Sequence, residues 1–65
     1  METQVKKATI EKATGRKLPE SAVFATQYAF RVECFDSEGI CVFAEHVSDD
    51  ALYRAGVDRN GIAIA

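Results

Sequence analysis

The sequence has no hydrophobic segment long enough to cross a membrane. The longest uninterrupted apolar run in its 65 residues is Ile40–Ala44, whereas a membrane-spanning helix needs about 20 residues. The N-terminal residues, Met-Glu-Thr-Gln-Val-Lys-Lys, also lack the apolar core of a secretory signal. These two absences predict a cytoplasmic protein with no membrane partner.

The sequence also lacks the short motifs that carry most catalytic and cofactor chemistry. It has no C-x-x-C pair, no G-x-G-x-x-G or G-K-[ST] phosphate loop and no nucleophile elbow. Cys34, Cys41 and His46 are candidate zinc ligands, but structural zinc sites bring four closely spaced ligands. Cys34 or Cys41 with His46 could also formally supply a nucleophile and a base. A chain of 65 residues has little interior for a catalytic pocket. We therefore predict no enzyme activity, no cofactor and no bound metal.

Positive charge is not in excess, which argues against a general nucleic-acid binder. Eight lysines and arginines stand against ten acidic residues, for a formal net charge of −2. No zinc-finger, helix-turn-helix or RNP-like motif is present. The N-terminal segment is locally basic, through Lys6, Lys7, Lys12, Arg16 and Lys17. These residues could contact phosphates, so direct nucleic-acid binding is kept only as a third hypothesis.

What remains is the composition of one small globular domain over residues 1–65, with 48% hydrophobic and 28% charged residues. Its clearest element is a β-hairpin with strands at about 22–36 and 40–47, because apolar residues alternate with smaller or polar ones in the first strand. A three-residue loop, Ser37-Glu38-Gly39, with Gly39 in the left-handed conformation, gives the register that best gathers the apolar residues on one face of the hairpin.

This register places one set of side chains on a buried face, namely Phe30, Val32, Cys34, Ile40, Val42 and Ala44. The other face would carry Arg31, Glu33, Phe35, Cys41, Phe43 and Glu45. Because Cys34 and Cys41 then point to opposite sides, we predict that both are free thiols.

Two segments leave alternatives open. A single strand from Ala22 to Phe35 would be unusually long, so a bend or break is expected near Thr26-Gln27. The alternative for residues 19–27 is a helix that begins at Pro19, a residue that suits a first helical turn.

For residues 3–18, the pattern favours a hairpin with the loop Ala13-Thr14-Gly15, in which Ile10 pairs with Leu18. The alternative for this segment is a helix that begins at Thr3 as the N-cap and ends at Gly15.

A short helix is predicted over about residues 49–55. Ser48 is a preferred N-cap, and Asp49 and Asp50 would lie in the first turn, where the helix dipole favours negative charge. Gly56 suits the left-handed position that follows a helix.

After this helix, Ile62 and Ile64 would share one face of a final strand. The predicted fold class is therefore α+β, with a mostly antiparallel sheet of about three to five strands packed against one short helix.

Negative charge is concentrated in the middle of the chain. From Glu33 to Asp50 there are six carboxylates and neither lysine nor arginine. Apolar aromatic residues surrounded by charge are typical of an interface core and its rim. The predicted partner-binding residues are Glu33, Asp36, Glu38, Glu45, Asp49, Asp50, Phe35 and Phe43.

By elimination, the sequence predicts binding without catalysis. The first hypothesis is a small inhibitor of the kind carried by phages or mobile elements (anti-CRISPR or anti-restriction type). Its acidic face would imitate phosphate charge and block a basic, DNA-binding surface on a larger protein or nucleoprotein complex. The second hypothesis is a self-associating structural or regulatory protein, a homodimer joined through the apolar C-terminal strand. The competing interpretation of the acidic residues is a solvated face that keeps the protein soluble.

Overall fold

The computed structural model describes residues 4–47 and 50–65. These residues form a five-stranded, mostly antiparallel sheet with two short helices, which confirms the predicted fold class. In chain order the elements are β1 Gln4–Val5, α1 Lys7–Thr14, β2 Phe24–Tyr28, β3 Arg31–Phe35, β4 Cys41–His46, α2 Ala51–Arg54 and β5 Ile62–Ile64. The strand order across the sheet is β1-β5-β2-β3-β4, and β1 with β5 is the parallel pair.

Both helices pack on the same face of the sheet. Ile10 of α1 and Leu52 of α2 are completely buried and belong to one apolar core. The strands contribute their inward side chains to this core, namely Val5, Ala25, Val32, Cys34 and Ile62. The register pairs Ala25 with Cys34, and directly paired residues share a face. The sheet therefore has a helix face and an open face.

The predicted long strand over residues 22–36 is two strands, β2 and β3, that reverse at Ala29–Phe30. Ala29 has a φ of 49°, in the left-handed region that two-residue hairpin turns use. The side-chain amide of Gln27 donates to the Ala29 carbonyl at 3.0 Å, which ties the turn to β2. The break thus falls just beyond the bend expected at Thr26-Gln27, and the alternative helix over 19–27 is wrong.

The tip of the β3–β4 hairpin has the predicted three-residue loop. Gly39 has a φ of 82°, and its N–H donates to the Asp36 carbonyl at 3.0 Å. The Asp36 N–H in turn donates to the Ile40 carbonyl at 3.0 Å. Phe35 pairs with Cys41, as this loop requires.

Beyond the tip, a bulge shifts the register by one residue and overturns the predicted faces. Cys34 pairs with Phe43 instead of Val42, so every later residue of β4 changes sides. Phe43 and Glu45 therefore lie on the helix face, and Ala44 lies on the open face. The bulge lets two successive side chains, Val42 and Phe43, pack against the core.

Two other residues predicted to be buried are exposed. Phe30 lies in the β2–β3 turn and is 65% exposed, and Ile40 lies at the hairpin tip and is 56% exposed. Their predicted burial depends on an unbroken alternation, which the turn and the loop interrupt.

The favoured hairpin over residues 3–18 is wrong, because residues 7–14 form the helix α1. Gly15 ends this helix with a φ of 72°, and its N–H donates to the Glu11 carbonyl at 2.8 Å. Lys6 occupies the N-cap position without a side-chain hydrogen bond, and Thr3 lies outside the described residues. The Glu11 carboxylate accepts the Leu18 N–H at 2.8 Å, so the chain returns beside the helix rather than along a strand.

The second helix ends as predicted. The N–H of Val57 donates to the Leu52 carbonyl at 2.9 Å, and that of Gly56 to the Tyr53 carbonyl at 3.0 Å. With a Gly56 φ of 102°, this is a Schellman motif. Ser48, the predicted N-cap, and Asp49, predicted to lie in the first turn, are outside the described residues. Asp50, also predicted to lie in the first turn, precedes α2, which is shorter than the predicted 49–55.

Candidate interaction surface

The open face of the sheet carries three rows of side chains, each running across neighbouring strands. The first row is apolar and contains Ala63, Phe24, Phe35 and Cys41. The middle row contains Thr26, Glu33 and Ala44. The third row contains Tyr28, Arg31 and His46. Phe24 is 39% exposed and Tyr28 49% exposed, so this face presents aromatic surface to solvent.

The loop before β5 holds Phe24 in place. The phenyl ring lies against Gly61, where a Cβ atom would overlap with it. The Asp58 carbonyl accepts the Gly61 N–H at 3.0 Å and the Gln27 N–H at 3.2 Å. The Asp58 carboxylate accepts the Asn60 N–H at 2.8 Å. The bond from Gln27 fastens the loop to β2, and the bonds from Asn60 and Gly61 close the loop itself, so that together they position one end of the apolar row.

Charge on the open face is balanced. Arg31 Nε lies 3.0 Å from Glu33 Oε2, and the two side chains are adjacent outward positions of β3. His46 Nδ1 is 3.2 Å from the Phe30 carbonyl oxygen. The formal charge of the rows is therefore one cation opposed by one anion.

The structure places the predicted partner-binding residues in separate parts of the molecule. Glu33 and Phe35 lie on the open face, whereas Phe43 and Glu45 lie on the helix face. Asp36 and Glu38 lie at the hairpin tip. Asp50 immediately precedes α2, and Asp49 lies outside the described residues.

Three of these carboxylates have an arginine partner. Glu33 pairs with Arg31, Asp50 pairs with Arg54, and Glu45 Oε1 lies 3.6 Å from Arg16 Nε. The Arg16 pair joins the end of α1 to β4, which no feature of the sequence indicated.

The two carboxylates at the hairpin tip have a different environment. Oδ1 of Asp36 accepts backbone N–H groups from Glu38 at 2.9 Å and from Ile40 at 3.0 Å. Glu38 is exposed, and within the described chain neither residue forms a salt bridge. The tip thus carries negative charge that the described arginines and lysines do not match.

The prediction of free thiols is confirmed, since Cys34 is buried and Cys41 exposed without a disulfide between them. Burial, with a smaller contribution from the neighbouring Cys41, raises the pKa of Cys34 to about 11. The buried thiol is therefore a poor nucleophile at neutral pH. Over residues 4–47 and 50–65, no group of three or more His, Cys, Asp or Glu side chains could hold a metal ion.

A shallow depression of about 580 Å³ lies between the end of α1 and the β2–β3 turn. It is lined by Ala13, Thr14, Phe30, His46 and Val47. Among the described residues of this lining, Thr14 carries a hydroxyl group and His46 an imidazole, and the Thr14 hydroxyl donates to the Ile10 carbonyl at 2.8 Å.

Sequence reasoning missed the aromatic residues of β2 as surface residues. In an unbroken strand over residues 22–36, the alternation would place Phe24 and Tyr28 on the same side as Val32, on the predicted buried face. The two-residue turn at Ala29–Phe30 reverses that relation, so that Gln27 rather than Tyr28 is buried opposite Val32. The turn contains neither glycine nor asparagine, so the usual signal for it is missing.

The C-terminal strand is not an edge strand. β5 pairs with β1 on one side and with β2 on the other, and the Ala65 N–H also donates to the Val5 carbonyl at 2.7 Å. Its backbone groups are therefore used within the monomer, and the premise of a dimer joined through this strand does not hold.

No family model, curated protein or solved structure matches the chain. Among the described residues, no helix has the length and apolar character that a membrane span requires.

Proposed function

We propose that the protein is a non-catalytic binding module, a small inhibitor of the kind carried by phages or mobile elements. Its acidic hairpin tip occupies a basic, DNA-binding surface on a larger protein or nucleoprotein complex. The observation that supports this most is the pair Asp36 and Glu38, whose charge no described arginine or lysine matches.

The tip is suited to this role because its geometry is fixed. The two hydrogen bonds that Asp36 accepts from the loop backbone hold one carboxylate in a single position. A preorganised group loses little conformational freedom when it binds, so more of its interaction energy becomes affinity. Phe35, half-buried beside the loop, adds an apolar contact next to the charge.

The proposal is narrower than a continuous acidic face. Glu33, Glu45 and Asp50 already have arginine partners, so a basic surface must compete with those arginines. Exposed ion pairs are worth only about 0–1 kcal/mol, and these carboxylates can still strengthen long-range attraction. The specific contact is assigned to the tip.

The test uses two double variants with matched chemistry. Asp36→Asn with Glu38→Gln removes both tip charges and keeps the acceptor oxygen that closes the loop. Asp58→Asn with Glu20→Gln is the control, because Asp58 also accepts a backbone N–H through Oδ1 and Glu20 is also exposed. The two variants change net charge equally, so a difference between them reports position.

Each variant and the unchanged protein are immobilised and exposed to a lysate of the host cells, and bound proteins are identified by mass spectrometry. We expect a DNA-binding protein that the unchanged protein and the control retain, that the tip variant loses, and that duplex DNA displaces. Equal capture by the tip variant, or capture that duplex DNA does not displace, would contradict the proposal.

A further inference from the structure

We infer that the open face of the sheet is a self-association surface, and that its occupant is a second copy of this chain. This goes beyond the proposed function, which places partner binding at the hairpin tip. The inference rests on three properties of the face: a continuous apolar row, a balanced charge, and rows that match their own copies under two-fold symmetry.

The apolar row crosses four neighbouring strands without interruption. Phe24 and Phe35 are direct cross-strand partners at its centre, with Ala63 and Cys41 on either side. Phe24 is held against Gly61 rather than free to fold away. Contiguous exposed apolar groups with a polar rim mark interaction sites in soluble proteins.

The charge of the face favours a copy over a strongly charged partner. The whole chain has a formal net charge of −2. Among the described residues, the three rows of the open face contain one formal cation and one formal anion, Arg31 and Glu33, 3.0 Å apart, with His46 counted as neutral. A basic or an acidic surface would meet one attractive and one repulsive group here. Two copies of a balanced face meet without net repulsion.

The row pattern is also compatible with two-fold symmetry. Consider a two-fold axis that lies between two facing sheets, parallel to the strands and midway between β2 and β3. It places each row opposite the same row of the second copy. Phe24 then lies over Phe35 of the second copy, and Tyr28 lies over Arg31 of the second copy. Both arrangements are favourable, as an aromatic pair and as a cation–π contact. In the middle row, the exposed and small side chain of Ala44 permits close approach, whereas Thr26 is buried beside Gly61.

The size of the face limits the strength of this association. The five strands contain 2, 5, 5, 6 and 3 residues. At about 3.3 Å per residue and about 4.8 Å between strands, they give a face of roughly 330 Å² per copy. A standard stable interface buries about 800 Å² per partner. The association is therefore weak and depends on protein concentration.

Charge variants provide the sharpest test. Arg31→Glu leaves the face with two negative charges, and Glu33→Arg leaves it with two positive charges. Each variant repels its own copy and attracts the other, whatever the details of the geometry. Both positions lie at the surface, with side chains 52% and 26% exposed, so the fold is expected to tolerate the changes.

Sedimentation equilibrium is measured for the unchanged protein, for each variant and for their equimolar mixture, from about 10 μM to about 1 mM, where weak interfaces titrate. We expect the unchanged protein to rise above its monomer mass of 7.1 kDa, each variant alone to stay monomeric, and the mixture to associate more strongly than the unchanged protein. A monomeric unchanged protein, or a mixture that behaves as the sum of its parts, would overturn the inference.

A second readout uses the exposed thiol in the apolar row. Alkylation of Cys41 by iodoacetamide is expected to slow as protein concentration rises, and to show no such dependence in Phe35→Glu. Phe30→Glu is the matched control, since Phe30 is 65% exposed in the turn and off the face, and it should behave as the unchanged protein. Concentration-independent alkylation of the unchanged protein would contradict the inference even if Phe35→Glu failed to fold.

Discussion

The ring of Phe24 lies against Gly61 so closely that no Cβ atom fits between them. Gly61 also has a φ of 90°, a conformation that residues with a side chain rarely adopt. One glycine therefore does two things: it turns the chain into β5, and it supports the aromatic row on the open face.

Gly61→Ala is expected to lower the free energy of unfolding by about 2–4 kcal/mol, because the cost of a positive φ for alanine and the cost of the clash with Phe24 add. Gly39→Ala is the control, because Gly39 has a φ of 82° but a Cβ atom added there would meet no other atom within 4 Å, and it should lose only about 1 kcal/mol. Urea unfolding measures both. In the double variant, Phe24→Ala removes the ring that the new Cβ atom meets, so Gly61→Ala should cost less there than in the unchanged protein. If the losses of the two single variants simply add in the double variant, the new Cβ atom does not clash with the ring.

The two cysteines are expected to differ sharply in reactivity. At pH 8 and low protein concentration, iodoacetamide should modify exposed Cys41 within minutes and leave buried Cys34 intact, because burial raises the pKa of Cys34 to about 11. Peptide mass spectrometry after timed alkylation checks this. Equal labelling of both thiols in the folded protein would contradict the burial of Cys34.

The same thiol predicts a pH dependence of stability. The Cys34 pKa rises from 9.0 to about 11 on folding, so the folded state keeps a proton that the unfolded state loses. This contribution is complete below pH 9 and is lost as the pH rises towards 11. The unfolding free energy should therefore fall over that interval, and Cys34→Ser should show a smaller fall in the same titration.

Gln27 is completely buried, and its side-chain oxygen has no hydrogen-bond partner among the described residues. Gln27→Met removes this unsatisfied oxygen together with the bond to Ala29, so we expect a change within about 1 kcal/mol. Gln27→Glu buries a carboxyl group and should lose several kcal/mol at pH 7. Since burial raises the pKa of such a group, the Glu variant should regain stability as the pH is lowered. A Glu variant as stable as the Met variant at pH 7 would contradict this environment.

Glu45, which forms a salt bridge, can be compared with Glu38 to test whether a paired carboxylate contributes less to partner binding than one without a described salt bridge. Its contact with Arg16 is at the surface, so Glu45→Gln should change the unfolding free energy by less than about 1 kcal/mol. It should also weaken partner binding less than Glu38→Gln, which alters an exposed carboxylate with no described salt bridge. Binding assays on the two single variants make the comparison, and a larger loss for Glu45→Gln would move the contact from the tip to the helix face.

The turns and helix ends that could be predicted from the sequence are those at which a glycine adopts a positive φ. Gly39 identified the hairpin loop, and Gly56 identified the Schellman motif at the end of α2; both are confirmed. Each works because few other residues accept a positive φ, so the local sequence alone carries the information. Gly15 carried the same signal for α1, but the cross-strand pairing of Ile10 with Leu18 favoured the hairpin, which is wrong.

The sorting of side chains between the faces could not be predicted, because two unmarked irregularities decide it. The turn at Ala29–Phe30 contains no usual turn residue, and the bulge at Val42 lies within an apolar run. Each reverses the alternation that follows it. The bulge lets both Val42 and Phe43 pack against the core, a tertiary contact that local sequence does not reveal.

For the candidate site, the six carboxylates were evident from the sequence but their surroundings were not. The partners of Glu33 and Asp50 are close in sequence, at Arg31 and Arg54. The partner of Glu45 is Arg16, which depends on how α1 packs beside β4. Among the described carboxylates of this set, only those of the tip, Asp36 and Glu38, have no salt bridge, which a structure was needed to show.

The central claim is that the β4 bulge sends Glu45 and Phe43 to the helix face and leaves Glu33 and Phe35 on the open face. Cross-strand nuclear Overhauser effects in the isotope-labelled protein test it most directly. The account predicts backbone contacts that pair Val32 with Glu45 and Cys34 with Phe43. Contacts that instead pair Val32 with Ala44 and Cys34 with Val42 would remove the bulge, and the division of the two faces with it.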